Sequence, residues 1–274
     1  MVETVKAKDF SNGNSPTWCP GCGDYGVLSA IQRGLAKLNV QPENAVLVSG
    51  IGCSGKIGHY FGGYSIHTTH GRTLPTALGI KSSRPELTVI AAGGDGDGYG
   101  IGVGHLVHAA RRNLPVTYIV MDNSVYGNTK GQTSPTSPLG YESSTSPTGN
   151  LDQPINPLLL AWSSGASFIG QGFSGDIKHL EELVIRGIQH EGFSLINVFS
   201  PCVVFNKAQG YDFYKQNITY QEQPAASAPE LVSLLSENPF NVGVLWEKKT
   251  SGSRYKGKQV VESDVISYLK SNII

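Results

Sequence analysis

Residues 45–56 read AVLVSGIGCSGK: an apolar, β-branched run that stops at Ser49 and gives way to a loop holding Gly50, Gly52, Cys53, Gly55 and Lys56. An apolar run followed at once by clustered glycine is how a buried strand brings bare backbone to a ligand. The loop fits two nucleotide patterns in part. Gly50, Gly52 and Gly55 have the G-x-G-x-x-G spacing of a dinucleotide loop, and Gly50, Gly55 and Lys56 match a phosphate loop up to its last residue. Position 57 is isoleucine, where the phosphate loop needs a hydroxyl for Mg²⁺, and no acid ends a strand about 20 residues further on, as the dinucleotide fold requires. Cys53 belongs to neither pattern.

Outward from this stretch, similar apolar runs recur at 87–92, 116–121, 166–169 and 195–199. Their near-continuous hydrophobicity suits strands buried on both faces, as in a parallel sheet. Val27, Leu28, Ile31, Leu35 and Leu38 form one helical stripe, and Ile177, Leu180, Val184 and Ile188 another, with Ser174 and Asp176 as candidate caps. The alternation predicts an α/β fold with a doubly wound, mostly parallel sheet, in which ligands gather beyond the C-terminal ends of the strands. The unusual loops fall there: GIGCSGK after Ser49, GGDGDGYG after Ala92, DNSVYGNTKGQ after Met121 and SPC after Phe199. Residues 131–150 are rich in Ser, Thr, Pro and Gly and read as a long functional loop. One cofactor domain is expected over 1–220, followed by a more polar appendage over 221–274.

Composition excludes several functions. The 274 residues carry 21 basic and 21 acidic side chains, so the basic footprint of a nucleic-acid or anionic-membrane binder is missing. No apolar run approaches the ~20 residues of a membrane span, and the first ten residues have no signal-peptide core. A cytoplasmic protein is expected, and in that reducing compartment four cysteines suggest metal or redox chemistry rather than disulfides.

Two constellations carry chemistry. GGDGDGYG sets Asp95 and Asp97 among glycines at a strand end, and the next strand ends in Asp122-Asn123. A hard cation such as Mg²⁺ takes a few carboxylate, amide and carbonyl oxygens from protein and completes its shell with phosphate and water. Asp95, the Asn123 amide and the Val125 carbonyl offer such a set, with glycine backbone beside it for a diphosphate. Tight Asp-Gly turns alone explain neither the repeated glycine nor the matching Asn loop. The second constellation is Cys19 and Cys22 in C-P-G-C, joined by the isolated Cys53 and Cys202 at strand ends. It fits an iron–sulfur cluster, a structural zinc or unrelated buried thiols. His67 and His70 lie between the cofactor loops, and one of them is a candidate for the diphosphate. His105 and His108 read as helix surface or core.

Together WCPGCGDYGV, SGIGCSGK, HGR, GGDGDGYGIG, DNSVYGNTKGQTSPT and SPC resemble the β subunit of the two-subunit 2-oxoacid:ferredoxin oxidoreductases, over about residues 18–207. The resemblance implies a thiamine diphosphate-binding fold and a [4Fe-4S] cluster on Cys19, Cys22, Cys53 and Cys202. It assigns Ile51, Gly52, Cys53, Ser54, His70, Gly96, Asp97, Gly127 and Asn128 to thiamine diphosphate. It assigns Asp95, Asn123 and Val125 to Mg²⁺, and it places Lys56 and Asn128 near the substrate. The implied reaction is oxidative decarboxylation of a 2-oxoacid with coenzyme A and ferredoxin. Asn128 stands where pyruvate-using members carry asparagine, whereas Lys56 and the general character of the sequence favour 2-oxoglutarate. Thiamine activation also needs a glutamate, and none falls in a cofactor motif here: Glu43 and Glu86 precede strands, and Glu181 and Glu182 lie on a late helix. The family supplies that acid from its α subunit, so the chain is expected to be inert alone.

Overall fold

A computed structural model of the protein describes residues 4–250 and, nearer the C-terminus, residues 267, 270 and 271. The apolar runs become strands and the two stripes become helices. In chain order these are α1 (Asp24–Lys37), β1 (Ala45–Ser49), β2 (Tyr64–His67), α2 (Thr73–Ser83), β3 (Thr88–Gly94), α3 (Val103–Arg112) and β4 (Thr117–Asp122). A small hairpin of β5 (Val125–Tyr126) and β6 (Gln132–Thr133) follows, then α4 (Pro157–Ser163), β7 (Phe168–Phe173), α5 (Ile177–Gln189) and β8 (Ser194–Phe199). The described chain continues with α6 (Tyr211–Asn217), β9 (Thr219–Tyr220), α7 (Ala228–Glu237) and β10 (Asn241–Glu247).

Eight strands form one sheet in the order β2-β1-β3-β4-β8-β7-β10-β9. From β2 to β7 all neighbours are parallel. β10 runs antiparallel to β7 and carries β9 parallel at the edge. Side chains alternate between two cores, as a strand period of two demands. Tyr118 and Val120 of β4 pack with residues of α2, α3, α4 and α7, while Ile119 and Met121 pack with α1 and α5. This is the doubly wound α/β sheet that the sequence predicts. Val27, Ile31 and Leu35 of α1 and Leu180 and Val184 of α5 are fully buried, each contributing roughly 1.5–3 kcal/mol of burial. Asp176 caps α5, its Oδ1 accepting the His179 N–H at 3.1 Å; Ser174, the other candidate, accepts no such bond.

Two stretches differ from expectation. The run at 166–169 marks only the start of β7, because Gly170, Gln171 and Gly172 are buried without an apolar signal. Residues 219–247, expected within or beside an appendage, add β9, α7 and β10 to the domain. Val242 and Leu245 are fully buried, and the Gln171 amide donates to the carbonyls of Pro239 and Asn241, both at 2.8 Å. Most of the remaining tail lies outside the described residues.

The topology positions the site. The chain leaves β1 for β2 on one side, while β3 flanks β1 on the other. Loops after β1 and β3 therefore open onto one crevice at the C-terminal ends of the strands, where doubly wound sheets bind ligands.

Candidate active site

A cavity of about 320 Å³ lies at this crevice. The β1 loop brings Ile51, Gly52, Cys53 and Ser54 to it, the segment before α2 brings His70, and the β3 loop brings Gly94 to Asp97. Asn123, Val125, Tyr126, Gly127, Asn128 and Thr129 close the far side from the β4 loop and the hairpin. All of the residues expected to hold thiamine diphosphate and Mg²⁺ thus share one cavity. The acidic loop is not a simple turn: residues Gly96–Ile101 form a π-helical turn, a rare shape that is frequent at functional sites. Glycine is required at position 96, where a Cβ would sit 2.2 Å from the Tyr126 ring.

Asp97 is buried and organises the crevice. Its Oδ1 accepts the N–H groups of Ile51 (2.9 Å) and Gly71 (2.8 Å) and lies 3.0 Å from His70 Nδ1; its Oδ2 accepts the Thr73 hydroxyl at 3.2 Å. A carboxylate only accepts from its neighbours, so His70 Nδ1 carries the proton and Nε2 is left for another partner. The Asp97 side chain therefore ties the β1 loop to the start of α2 in the wall of the cavity that Asp97 lines. Gly50 is obligatory beside it, since a Cβ there would overlap the carboxylate. His67 is held elsewhere, with its Nδ1 3.0 Å from Ser49 Oγ.

Asp95 and Asp122 are both buried, and the Thr136 hydroxyl lies between them, 2.9 Å from Asp95 Oδ2 and 2.8 Å from Asp122 Oδ1. One hydroxyl proton cannot serve two carboxylates, so the pair is short of positive charge. Burial, followed by the neighbouring Asp122 charge, raises the Asp95 carboxyl well above its ordinary range, and burial likewise raises Asp122. A divalent cation would remedy that deficit. The Asn123 side-chain oxygen accepts the Val125 N–H at 3.0 Å, which fixes its direction beside Asp95 in the cavity wall.

The four cysteines meet at a second cavity of about 80 Å³, lined also by Trp18, Lys56 and Val203 to Phe205. Three bonds assemble it. Gly23 N–H donates to the Pro201 carbonyl at 3.2 Å, joining the C-P-G-C turn to the β8 loop. The Trp18 indole donates to the Cys53 carbonyl at 2.6 Å, and Phe205 N–H donates to Cys202 Sγ at 3.4 Å. Burial, then the Asp24 charge, pushes the Cys22 thiol far up, and the same causes push Cys53 up to about 11. Thioredoxin-like redox pairs need the opposite shift. Among the described residues no three His, Cys, Asp or Glu side chains are grouped to hold one metal ion. Four thiols around one cavity would offer a four-iron cluster one thiolate for each iron.

Lys56 lines the cysteine cavity and does not line the larger one. His105 contacts Arg72 instead of a ligand site. Tyr126, Thr129 and Thr136 were not singled out from the sequence. Tyr126 and Thr129 sit inside the quoted β4-loop motif, and Thr136 lies in the long Ser/Thr/Pro segment.

The family model describing the C-terminal thiamine pyrophosphate-binding domain of thiamine pyrophosphate enzymes matches residues 50–198. A 2-oxoacid:ferredoxin oxidoreductase subunit beta from Saccharolobus solfataricus is 48% identical over 73% of this chain and 67% of its own. A 2-oxoglutarate synthase subunit KorB from Archaeoglobus fulgidus is 40% identical over 72% of this chain and 74% of its own. Among solved structures, a 2-oxoglutarate:ferredoxin oxidoreductase from Magnetococcus marinus, with 2-oxoglutarate, coenzyme A and succinyl-CoA bound, superposes with a TM-score of 0.89 at 36% identity. That match covers 97% of this chain and 96% of the other. With the thiamine-type cavity and the four-cysteine cavity side by side at the end of one parallel sheet, the chain belongs to the β subunits of the 2-oxoacid:ferredoxin oxidoreductases.

Proposed function

We propose that this chain is the cofactor-bearing β subunit of an enzyme that converts a 2-oxoacid, coenzyme A and oxidised ferredoxin into acyl-coenzyme A, carbon dioxide and reduced ferredoxin. The observation that carries the reading is a shared wall: Cys53, Asn123 and Gly127 line both cavities. A Cβ on Gly127 would lie 3.6 Å from Cys53 Sγ and 3.8 Å from Cys202 Sγ, so the thiamine side and the thiol side are separated by little more than backbone. Electrons released in one cavity have a short path to the other.

The residues fit the implied groups. Asp95, the Asn123 amide and the Val125 carbonyl would hold Mg²⁺, and the Asp95–Asp122 charge deficit supports a cation there. The backbone around Ile51 to Ser54 and Gly96 to Asp97, with His70 Nε2, would hold the diphosphate, while Gly127 and Asn128 would border the thiamine. Cys19, Cys22, Cys53 and Cys202 would hold a [4Fe-4S] cluster, whose charge favours the thiolate forms that burial alone disfavours. When bound, thiamine diphosphate supplies an electron sink for decarboxylation and the cluster accepts the electrons singly. Asp97 keeps the two diphosphate loops in register. Lys56 lines the cysteine cavity rather than the larger one, and only the family resemblance implies a place for it near a substrate carboxylate. Asn128 presents an amide at the cavity mouth.

Every proposed ligand lies within residues 1–220. The α subunit completes the site, and ferredoxin, coenzyme A and the 2-oxoacid are its remaining partners. A cytoplasmic location belongs to the same reading; among the described residues no helix is long and apolar enough to cross a membrane.

The test is co-expression with the α subunit, followed by cofactor analysis and reduction of methyl viologen. The reading expects bound thiamine diphosphate, about four iron and four sulfide per chain, and coenzyme A-dependent reduction with 2-oxoglutarate or pyruvate. Failure of both substrates would overturn it, and zinc in place of iron would favour a structural role for the cysteines.

A further inference from the structure

A further cavity lies at the other end of the sheet from the candidate active site. It measures about 640 Å³, twice the volume of the crevice cavity, and falls within the ~300–1,000 Å³ range of small-molecule sites. Arg111 and Arg112 reach it from the end of α3, Trp162 from the end of α4, and Trp246, Lys248 and Lys249 from the end of β10. β4 and β7 begin here, so the length of β4, about 20 Å of strand, separates this cavity from the crevice. Hydrogen bonds hold the frame. Asn113, the left-handed residue that ends α3, accepts the Ser167 hydroxyl and the Phe193 N–H on its Oδ1, both at 2.8 Å, and the Ser167 carbonyl accepts the Lys248 N–H at 2.8 Å.

The chemistry of the lining is one-sided. Arg111, Arg112, Lys248 and Lys249 line the cavity, and no aspartate or glutamate does. All four are exposed, and none forms an ion pair among the described residues. The neighbouring Glu247 is engaged by Arg186 at 2.6 Å and lines the adjoining cavity with Glu191 instead. Arginines in the last turn of a helix are ordinary partners of its dipole, but that leaves two lysines at the end of a strand unexplained. In a chain of zero net charge, four unpaired cations at one cavity are a local excess. Trp162 and Trp246, half-buried and edge to face with centroids 6.0 Å apart, add a flat apolar wall.

We propose that this cavity binds a nucleoside polyphosphate, with its phosphates on Arg111, Arg112, Lys248 and Lys249 and its base against the two tryptophans. Arginine and lysine supply the charged donors that phosphate oxygens take, and an indole gives a base the stacking surface that sequence-tolerant sites use. A phosphate alone would leave the tryptophans without a role, and an apolar ligand would leave the cations without one. The site is separate from the catalytic reading above and goes beyond it.

The test uses the assembled α–β enzyme, with binding of ATP and of inorganic tripolyphosphate measured by calorimetry at low and moderate salt. The parent should bind both, ATP the more tightly, and each more weakly as salt rises. Arg111→Glu combined with Arg112→Glu should raise both Kd values about tenfold or more, and Lys248→Gln combined with Lys249→Gln should move them in the same direction. Trp162→Leu should raise the Kd for ATP about tenfold and leave that for tripolyphosphate within about twofold. Reduction of methyl viologen with 2-oxoacid, which depends on the opposite end of the sheet, should stay within about twofold of the parent in every variant. Absence of ATP binding to the parent overturns the proposal. ATP binding that all three variants leave unchanged does so too, and its displacement by coenzyme A would then locate the nucleotide at the catalytic site. Tripolyphosphate bound as tightly as ATP, with no effect of Trp162→Leu, overturns the assignment of a nucleoside ligand.

Discussion

Asp97 shows how one side chain fixes the geometry of the crevice it lines. Four donors from the β1 loop and the start of α2 end on its two oxygens. Asp97→Ala strands the buried Gly71 N–H and the part-buried Ile51 N–H, at a cost of roughly 1–3 kcal/mol. The expected outcome is a lower melting temperature together with loss of thiamine diphosphate from the purified complex. Retention of the cofactor at full stoichiometry would contradict the role. The glycines and carboxylates of this site were legible because they stand in short motifs at strand ends. The part played by Asp97 was not, since its partners lie 24 to 46 residues away and only the fold brings them together. A second residue-scale prediction concerns His190, far from the site. Its Nε2 lies 2.6 Å from Ser167 Oγ, whose proton goes to Asn113 Oδ1, so the ring donates from Nε2 and Nδ1 is unprotonated. Burial lowers its pKa below the ordinary 6.5, opposed by Glu247 at 3.8 Å and by Glu191. The folded state thus favours the neutral ring. Its contribution is complete above pH 6.5 and is lost as pH falls through the lowered value. His190→Gln should flatten the fall in melting temperature between pH 7 and 5, and an unaltered pH profile would contradict this.

At the scale of elements, the parallel strands and the paired helices α1 and α5 were readable because burial on both faces leaves an unbroken apolar record. The strands that escaped were those whose buried positions are not apolar or whose neighbourhood is polar. Beyond Ile169, where the apolar run read from the sequence ends, the rest of β7 hides behind glycine and a glutamine satisfied by the carbonyls of Pro239 and Asn241. β10 carries the apolar run of residues 242–246, yet the charged and proline-containing residues around it lower the average, and its antiparallel pairing to β7 lies outside the β–α–β pattern. The structure makes a direct prediction here. Truncation after Tyr220 removes β10, exposes the outer edge of β7 and uncovers apolar residues now packed against Leu231, Leu235 and Leu245. An exposed edge strand beside bare core is an aggregation surface. The shortened chain should be insoluble or lack a cooperative melting transition. A soluble product with the parent's melting temperature would instead restore the appendage view.

For the whole molecule, the decisive feature is what the cavity wall provides and what it leaves to a partner. Among the described residues no glutamate lines the cavity. The buried Glu181 is already engaged by Arg33 at 2.8 Å and by Lys37, where it joins α5 to α1 rather than serving chemistry. The apolar side chains near the crevice are also uncovered: Ile51 is 37% exposed and Ile101, packed on Gly71, is 59% exposed. Both facts fit the half-site of the proposed reading, in which this chain would carry the metal and diphosphate loops and the α subunit would bring the glutamate for the aminopyrimidine ring. The cluster of the same reading, by contrast, would take all four thiols from this chain, since they line one cavity. The two halves should therefore separate in experiment. The purified chain, reconstituted with iron and sulfide under anaerobic conditions, should show the electron paramagnetic signal of a reduced [4Fe-4S] cluster without its partner. With thiamine diphosphate, Mg²⁺ and 2-oxoacid it should give no viologen reduction until the α subunit is added. Turnover by the isolated chain would place the missing acid within it, and failure to hold a cluster alone would mean that the α subunit shapes the thiol cavity as well.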